Sequence, residues 1–118
     1  MADVFVVEDA PLQQTIIERF LAPEHTIVGI ATDGTEAVEH VNRQEPDVVI
    51  MDINLPGLDG IAASEAIKSH RPETKIIVST AVVNEDVKRM AADVPIEEYL
   101  IKPYSGPELL EAIEDAID

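Results

Sequence analysis

The sequence predicts an α/β fold, a doubly wound parallel sheet of five strands with helices on both faces. Five short runs rich in β-branched residues alternate with five stretches of helical periodicity. The runs are nearly continuous in apolar character, as in Val48-Val49-Ile50-Met51, which suits strands buried on both faces. Right-handed crossovers then leave few ways to wind such β-α units.

Each element has its own local reason. Residues 3–7 form the first apolar run, and over 11–21 Leu12, Ile16 and Phe20 recur four apart on one helical face. Residues 25–31 read as the second strand. Asp33-Gly34 breaks the chain before a helix holding Ala37, Val38 and Val41, which Pro46 terminates. Residues 47–51 are the third strand, and the loop Asn54-Leu55-Pro56-Gly57 leads to a helix over 58–69 with Asp59-Gly60 as its start signal. Residues 74–79 are a fourth strand, 84–92 a fourth helix capped by Asn84, and 96–101 a fifth strand. Ser105 with Glu108 three residues on is a capping box for a last helix over 105–117, whose stripe is Leu109, Ile113 and Ala116.

Composition narrows the function classes. The chain has 118 residues, 24 acidic against 8 basic, and a net charge of −16. That length predicts one domain, residues 1–118, with no repeat or linker. With no cysteine there is no disulfide, thiolate metal site or thiol catalysis. The acid excess repels phosphate backbones and anionic lipid, and the cations are scattered, so neither nucleic acid nor a membrane is expected as a direct partner. No apolar run approaches the ~20 residues of a membrane helix. Met1-Ala2-Asp3 lacks a basic leader, so a cytoplasmic location is the expectation. The charge balance is that of a protein kept soluble at high salt and points to a halophilic source. His25, His40 and His70 show no ligand spacing and read as surface residues, as do the acids outside the candidate site.

In open α/β sheets the site lies beyond the carboxyl ends of the strands, where the winding reverses. Those ends carry Glu8-Asp9, Asp52, Ser79-Thr80 and Lys102-Pro103. If strands 1 and 3 are neighbours, three carboxylates converge, and like charges at that range call for a cation among them. Mg²⁺ suits an all-oxygen site that keeps several waters. Lys102 adds a second positive charge and Thr80 a hydroxyl, both facing a phosphoryl group. Acids would repel free phosphate, so the phosphoryl is better placed covalently on one carboxylate.

With these residues in view, the chain resembles the receiver domain of two-component response regulators over essentially its whole length. Val6-Val7-Glu8-Asp9 is similar to the family's acidic pair, Met51-Asp52-Ile53-Asn54-Leu55-Pro56-Gly57-Leu58-Asp59-Gly60 to its phosphoacceptor loop, Ser79-Thr80-Ala81 to its switch segment, and Tyr99-Leu100-Ile101-Lys102-Pro103-Tyr104 to its lysine-proline corner. The resemblance implies a flavodoxin-like strand order 2-1-3-4-5. It implies phosphorylation on Asp52, Mg²⁺ held by Asp9, Asp52 and the Asn54 carbonyl with Glu8 acting through water, and Lys102 pairing with the phosphoryl group. Thr80 then bonds to that group, Tyr99 swings inward as Thr80 moves, and Lys102-Pro103 is cis. It also implies a sensor histidine kinase or phosphotransfer protein as donor, docked on the first helix. A downstream protein effector, or a homodimer formed on phosphorylation, is expected on the face of helix 4, strand 5 and helix 5.

Three departures from the family pattern stand out: Glu8 for the commoner Asp, Pro95-Ile96 for Gly-Ala, and Val82 where polar residues are frequent. Asn54 is expected to orient the water that hydrolyses the acyl phosphate, and Val82 only to exclude it. The expectation is a stand-alone signalling module, not an enzyme, with only self-directed phosphorylation and autodephosphorylation chemistry. The alternative, a Mg²⁺-dependent aspartyl-nucleophile phosphohydrolase, needs a proton-donating acid where Asn54 stands. A flavodoxin-type FMN carrier needs a hydroxyl- and glycine-rich loop where Glu8-Asp9-Ala10-Pro11 stands.

Overall fold

The computed structural model describes residues 1–81 and 85–118, so the expected Asn84 cap and the site of Val82 lie outside the described residues. The elements alternate as β1 (Asp3–Val7), α1 (Pro11–Leu21), β2 (Thr26–Ala31), α2 (Gly34–Gln44), β3 (Val48–Asp52), α3 (Gly60–His70), β4 (Lys75–Thr80), α4 (Glu85–Met90), β5 (Glu98–Ile101) and α5 (Gly106–Ile117). The five strands form one parallel sheet in the order β2-β1-β3-β4-β5. Every residue of β3 is buried, as the unbroken apolar run required.

Strand alternation divides the core in two. Phe5, Val7, Val49, Met51, Ile76 and Val78 meet α2 and α3 on one face. Val4, Val6, Val48, Ile50, Ile77 and Leu100 meet α1 and α5 on the other. No helix among the described residues is long and apolar enough to cross a membrane.

Local chemistry accounts for most boundaries. Asp33 caps α2 by accepting from the Glu36 N–H, and Asp59 caps α3 by accepting from the Ile61 and Ala62 N–H groups. The Ser105–Glu108 capping box is complete in both directions. Before β5, the Ile96 N–H turns back onto the Val94 carbonyl at 2.8 Å, so the strand begins at Glu98 and not at 96. Helix α4 ends at Met90, where the chain tucks Ala91 and Val94 into the core.

Three expectations need correction. The face of α1 that packs on the sheet carries Ile17 and Leu21, whereas Leu12 is 70% exposed and Phe20 reaches only the margin of the core. The buried stripe is one residue out of phase with the expected one, a rotation of about 100°. His25 and His40 are half-buried: His25 Nδ1 accepts from the Ala2 N–H at 3.0 Å, and His40 stands edge-on to Phe5 with ring centroids 6.4 Å apart. The acids outside the site are not all solvated. Glu97 Oε2 pairs with the buried Lys68 ammonium at 2.7 Å, while its Oε1 accepts from the Ile76 N–H at 2.7 Å.

Candidate functional site

Parallel pairing of β1 with β3, Val7 against Met51, sets the residues that follow each strand side by side at the carboxyl edge. Glu8 and Asp52 are 2% and 6% exposed, and Asp9, the next residue, is exposed. One carboxylate oxygen from each of the three lies within 4.8 Å of the others. At that range the buried pair Glu8 and Asp52 repels by on the order of 3 to 4 kcal/mol, and Asp9 adds a third negative charge from the solvent side.

The chain supplies part of the compensation. Lys102 Nζ donates to Glu8 Oε1 at 2.9 Å and lies 3.4 Å from Asp52 Oδ2. The Ala10 N–H meets Glu8 Oε2 at 3.2 Å, and the Asn54 N–H meets Asp52 Oδ1 at 3.2 Å. Burial pulls the Lys102 pKa down, but the hydrogen bond to Glu8 and the charges of Asp52 and Glu8 outweigh it, and the value rises above the usual 10.5. One ammonium against three carboxylates still leaves two negative charges uncompensated. Hard oxygen donors, that residual charge and one solvent-exposed member fit Mg²⁺, which binds through one or two carboxylates and retains water.

The backbone holds this arrangement closely. Lys102 enters from β5 with its N–H bonded to the Thr80 carbonyl at 2.8 Å, and the Lys102–Pro103 peptide is cis. After Asp52 the loop turns through Gly57, whose φ of 74° is left-handed, and returns so closely that a Cβ on Gly60 would lie 2.1 Å from the Asp52 carbonyl oxygen. Asp59 caps α3 in that return, one residue before Gly60.

Of the residues singled out in the sequence, Glu8, Asp9, Asp52 and Lys102 come together, with Asn54 beside Asp52 through its N–H. Thr80 is buried at the end of β4. Tyr99 is half-buried and packs on the opposite face, against the α2–α3 side of the core, where burial raises its phenol pKa. Sequence reasoning missed Ser79 and Tyr104 as individual residues. The Oγ of Ser79 and the Oη of Tyr104 are both buried without a well-formed hydrogen bond among the described residues. A hydroxyl left so costs about 1 to 3 kcal/mol. The available signals were a polar residue inside the apolar run of β4 and a phenol directly after Lys102-Pro103.

Comparison with known proteins agrees with this geometry. The family model for the response regulator receiver domain matches residues 4–114. The chemotaxis protein CheY of Halobacterium salinarum is 32% identical over 97% of this chain and 95% of its own length. The transcriptional regulatory protein PdtaR of Mycobacterium tuberculosis is 41% identical over 97% of this chain, which spans 56% of that protein. Among solved structures, the receiver domain of a Pseudomonas aeruginosa sensor histidine kinase, with a magnesium ion coordinated in its active-site cleft, superposes with a TM-score of 0.89 at 30% identity, covering 98% of this chain and 97% of that one. The carboxylate edge, the lysine beside it and these matches together place the chain in the response regulator receiver domain family of two-component signalling.

Proposed function

We propose that this chain accepts a phosphoryl group on Asp52 from a sensor histidine kinase or a phosphotransfer protein, and thereby switches a surface that a protein effector reads. The observation that carries the reading is the convergence of the Glu8, Asp9 and Asp52 carboxylates within 4.8 Å beside the Lys102 ammonium. Asp9 and Asp52 would hold Mg²⁺ with the Asn54 carbonyl, and Glu8 would act through water. When bound, the ion neutralises the charge that attacking carboxylate and phosphoryl oxygens bring together.

The chain's own residues do the rest. Asp52 is the nucleophile, one oxygen accepting from the Asn54 N–H and the other lying 3.4 Å from the Lys102 ammonium. Lys102 leaves Glu8 for the phosphoryl oxygens, and Thr80 donates its hydroxyl to them. Tyr99 turns inward in response, so the face of α4, β5 and α5 changes shape, for an effector or for a second copy of the chain. The donor docks on α1, whose exposed Leu12 offers an apolar contact. The chemistry stays self-directed, because Asn54 stands where a phosphohydrolase needs a proton-donating acid.

Incubation with Mg²⁺ and acetyl phosphate tests this. The expected result is an acid-stable, base-labile phosphoryl adduct that Asp52→Asn abolishes. Rapid turnover of many phosphomonoesters, or an adduct that survives Asp52→Asn, would overturn it.

A further inference from the structure

Two buried hydroxyls stand behind the acceptor carboxylate with no part in the reading above. Ser79 is the registered neighbour of Asp52 across the pairing of β3 with β4, so their side chains leave the same face of the sheet side by side. Ser79 is 2% exposed, and its Oγ makes no well-formed hydrogen bond among the described residues. Tyr104 follows the cis Lys102–Pro103 peptide and packs against the α1–α5 side of the core, with its Oη equally sequestered. The phenol lies near enough to feel Ser79 and the three charges of the site. Burial raises its pKa, the Ser79 hydroxyl and Lys102 pull it down, and Glu8 and Asp52 push it up. Phe and Ala would fill the same space without stranding a hydroxyl. Each hydroxyl needs only a torsional rotation to aim its hydrogen elsewhere.

We infer that Tyr104 and Ser79 form a hydroxyl relay to the acceptor, Tyr104 donating to Ser79 Oγ and Ser79 donating to the Asp52 oxygen released when the acyl phosphate is hydrolysed. The inference rests on the phosphoacceptor reading of Asp52. In hydrolysis the oxygen of water bonds to phosphorus and the bond from phosphorus to the Asp52 oxygen breaks. The electron pair of that bond returns to the carboxylate, and both protons of the water leave on inorganic phosphate. Negative charge therefore grows on the Asp52 oxygen as the bond breaks. A donor unpaired beforehand and engaged only then stabilises the transition state more than the ground state. Ser79 contacts the reacting group; Tyr104 is a positioning residue that acts through it.

The test uses the full chain, phosphorylated with acetyl phosphate and Mg²⁺, then desalted into Mg²⁺ buffer while loss of the adduct is followed by mass. Ser79→Ala and Tyr104→Phe are each expected to lengthen the lifetime by about ten-fold, the scale of one hydrogen bond to a charged group. The double variant should live no longer than Ser79→Ala alone, and Ser79→Thr should restore decay. Thermal stability should stay equal or rise slightly, which separates the relay from a packing role. Tyr104→Phe is nearly isosteric, so a lifetime unchanged in that variant overturns the relay even if the Ser79 variants fold poorly. Additive effects of the two changes also overturn it. Both outcomes leave Asp52 as acceptor, whereas absence of any Asp52-dependent adduct in the unmodified chain would remove the phosphoacceptor reading itself.

Discussion

Lys102 reaches Glu8 at 2.9 Å and Asp52 at 3.4 Å, so its ammonium is shared between two carboxylates, one of them the proposed phosphoacceptor. The longer arm of Glu8 makes this sharing possible, since its second oxygen is already bonded to the Ala10 N–H. The two carboxylates raise the Lys102 pKa against the opposing effect of burial. A raised lysine contributes stability that is fully present below its ordinary 10.5 and lost as pH climbs through the higher folded value. Asp52→Asn and Glu8→Gln should each lower that folded value, and the Glu8 change should lower it more, because Glu8 makes the shorter contact. An NMR titration of the Lys102 Cε and Nζ signals reads this directly; a Lys102 pKa indifferent to both substitutions would show that the ammonium is not held by them. Gly60 decides another residue-scale outcome. Its missing Cβ is what lets the loop return against the Asp52 carbonyl, so Gly60→Ala should destabilise by about 2 kcal/mol or more in urea unfolding. The same change should slow the proposed phosphorylation of Asp52 by displacing its carboxylate.

At the scale of elements, what the sequence made legible was whatever a local pattern encodes. The β-branched runs, the chain break at Asp33, the helix start at Asp59, the Ser105 cap and the carboxylates at the strand ends each depend on neighbours within a few residues, and apart from the later start of β5 each is where the pattern put it. The face of α1 was not legible, because Ile16 and Ile17 are adjacent and either could begin an apolar stripe; packing against Ile113 and Leu109 of α5 selects Ile17 and Leu21. The ion pair of Lys68 with Glu97 joins residues 29 apart, and no local spacing announces it. It fastens α3 to the segment before β5, and Glu97 also holds the first amide of the β4 interior. Removing one partner of a mostly buried pair strands the other charge. Lys68→Ala is therefore expected to cost about 3 kcal/mol, and Lys68→Ala with Glu97→Gln less than Lys68→Ala alone. Ser105→Ala removes only a cap at the surface and should cost about 1 kcal/mol without altering the carboxylate site. Equilibrium urea unfolding of the set separates these cases, and a Lys68 effect no larger than the Ser105 effect would count against the tie between α3 and β5.

For the whole molecule, the acid excess acts at two ranges that salt can tell apart. A net charge of −16 on a chain with a radius of gyration of 12.6 Å places most acids within a few Debye lengths of one another at low ionic strength. The folded state then carries a self-repulsion that the expanded chain relieves. Raising KCl from about 0.05 M to 1 M shortens the screening length to about 3 Å, so the melting temperature should climb by several degrees, and equally in NaCl. The three carboxylates within 4.8 Å act differently, because no diffuse ion atmosphere substitutes for a cation seated among them. Millimolar Mg²⁺ should therefore raise the melting temperature beyond KCl of matched ionic strength, as a ligand that binds only the folded state does. Asp9→Asn should erase that extra increment while leaving the KCl dependence in place, since it removes one charge of many from the surface but one donor of few from the site. If Asp9→Asn keeps the extra increment, the Mg²⁺ effect is screening by another name and the carboxylate edge holds no ion. If it loses that increment alone, the dense charge of the surface and the small charge of the site are separate devices, with salt setting the stability of the fold at large and Mg²⁺ adding to it through the carboxylate edge.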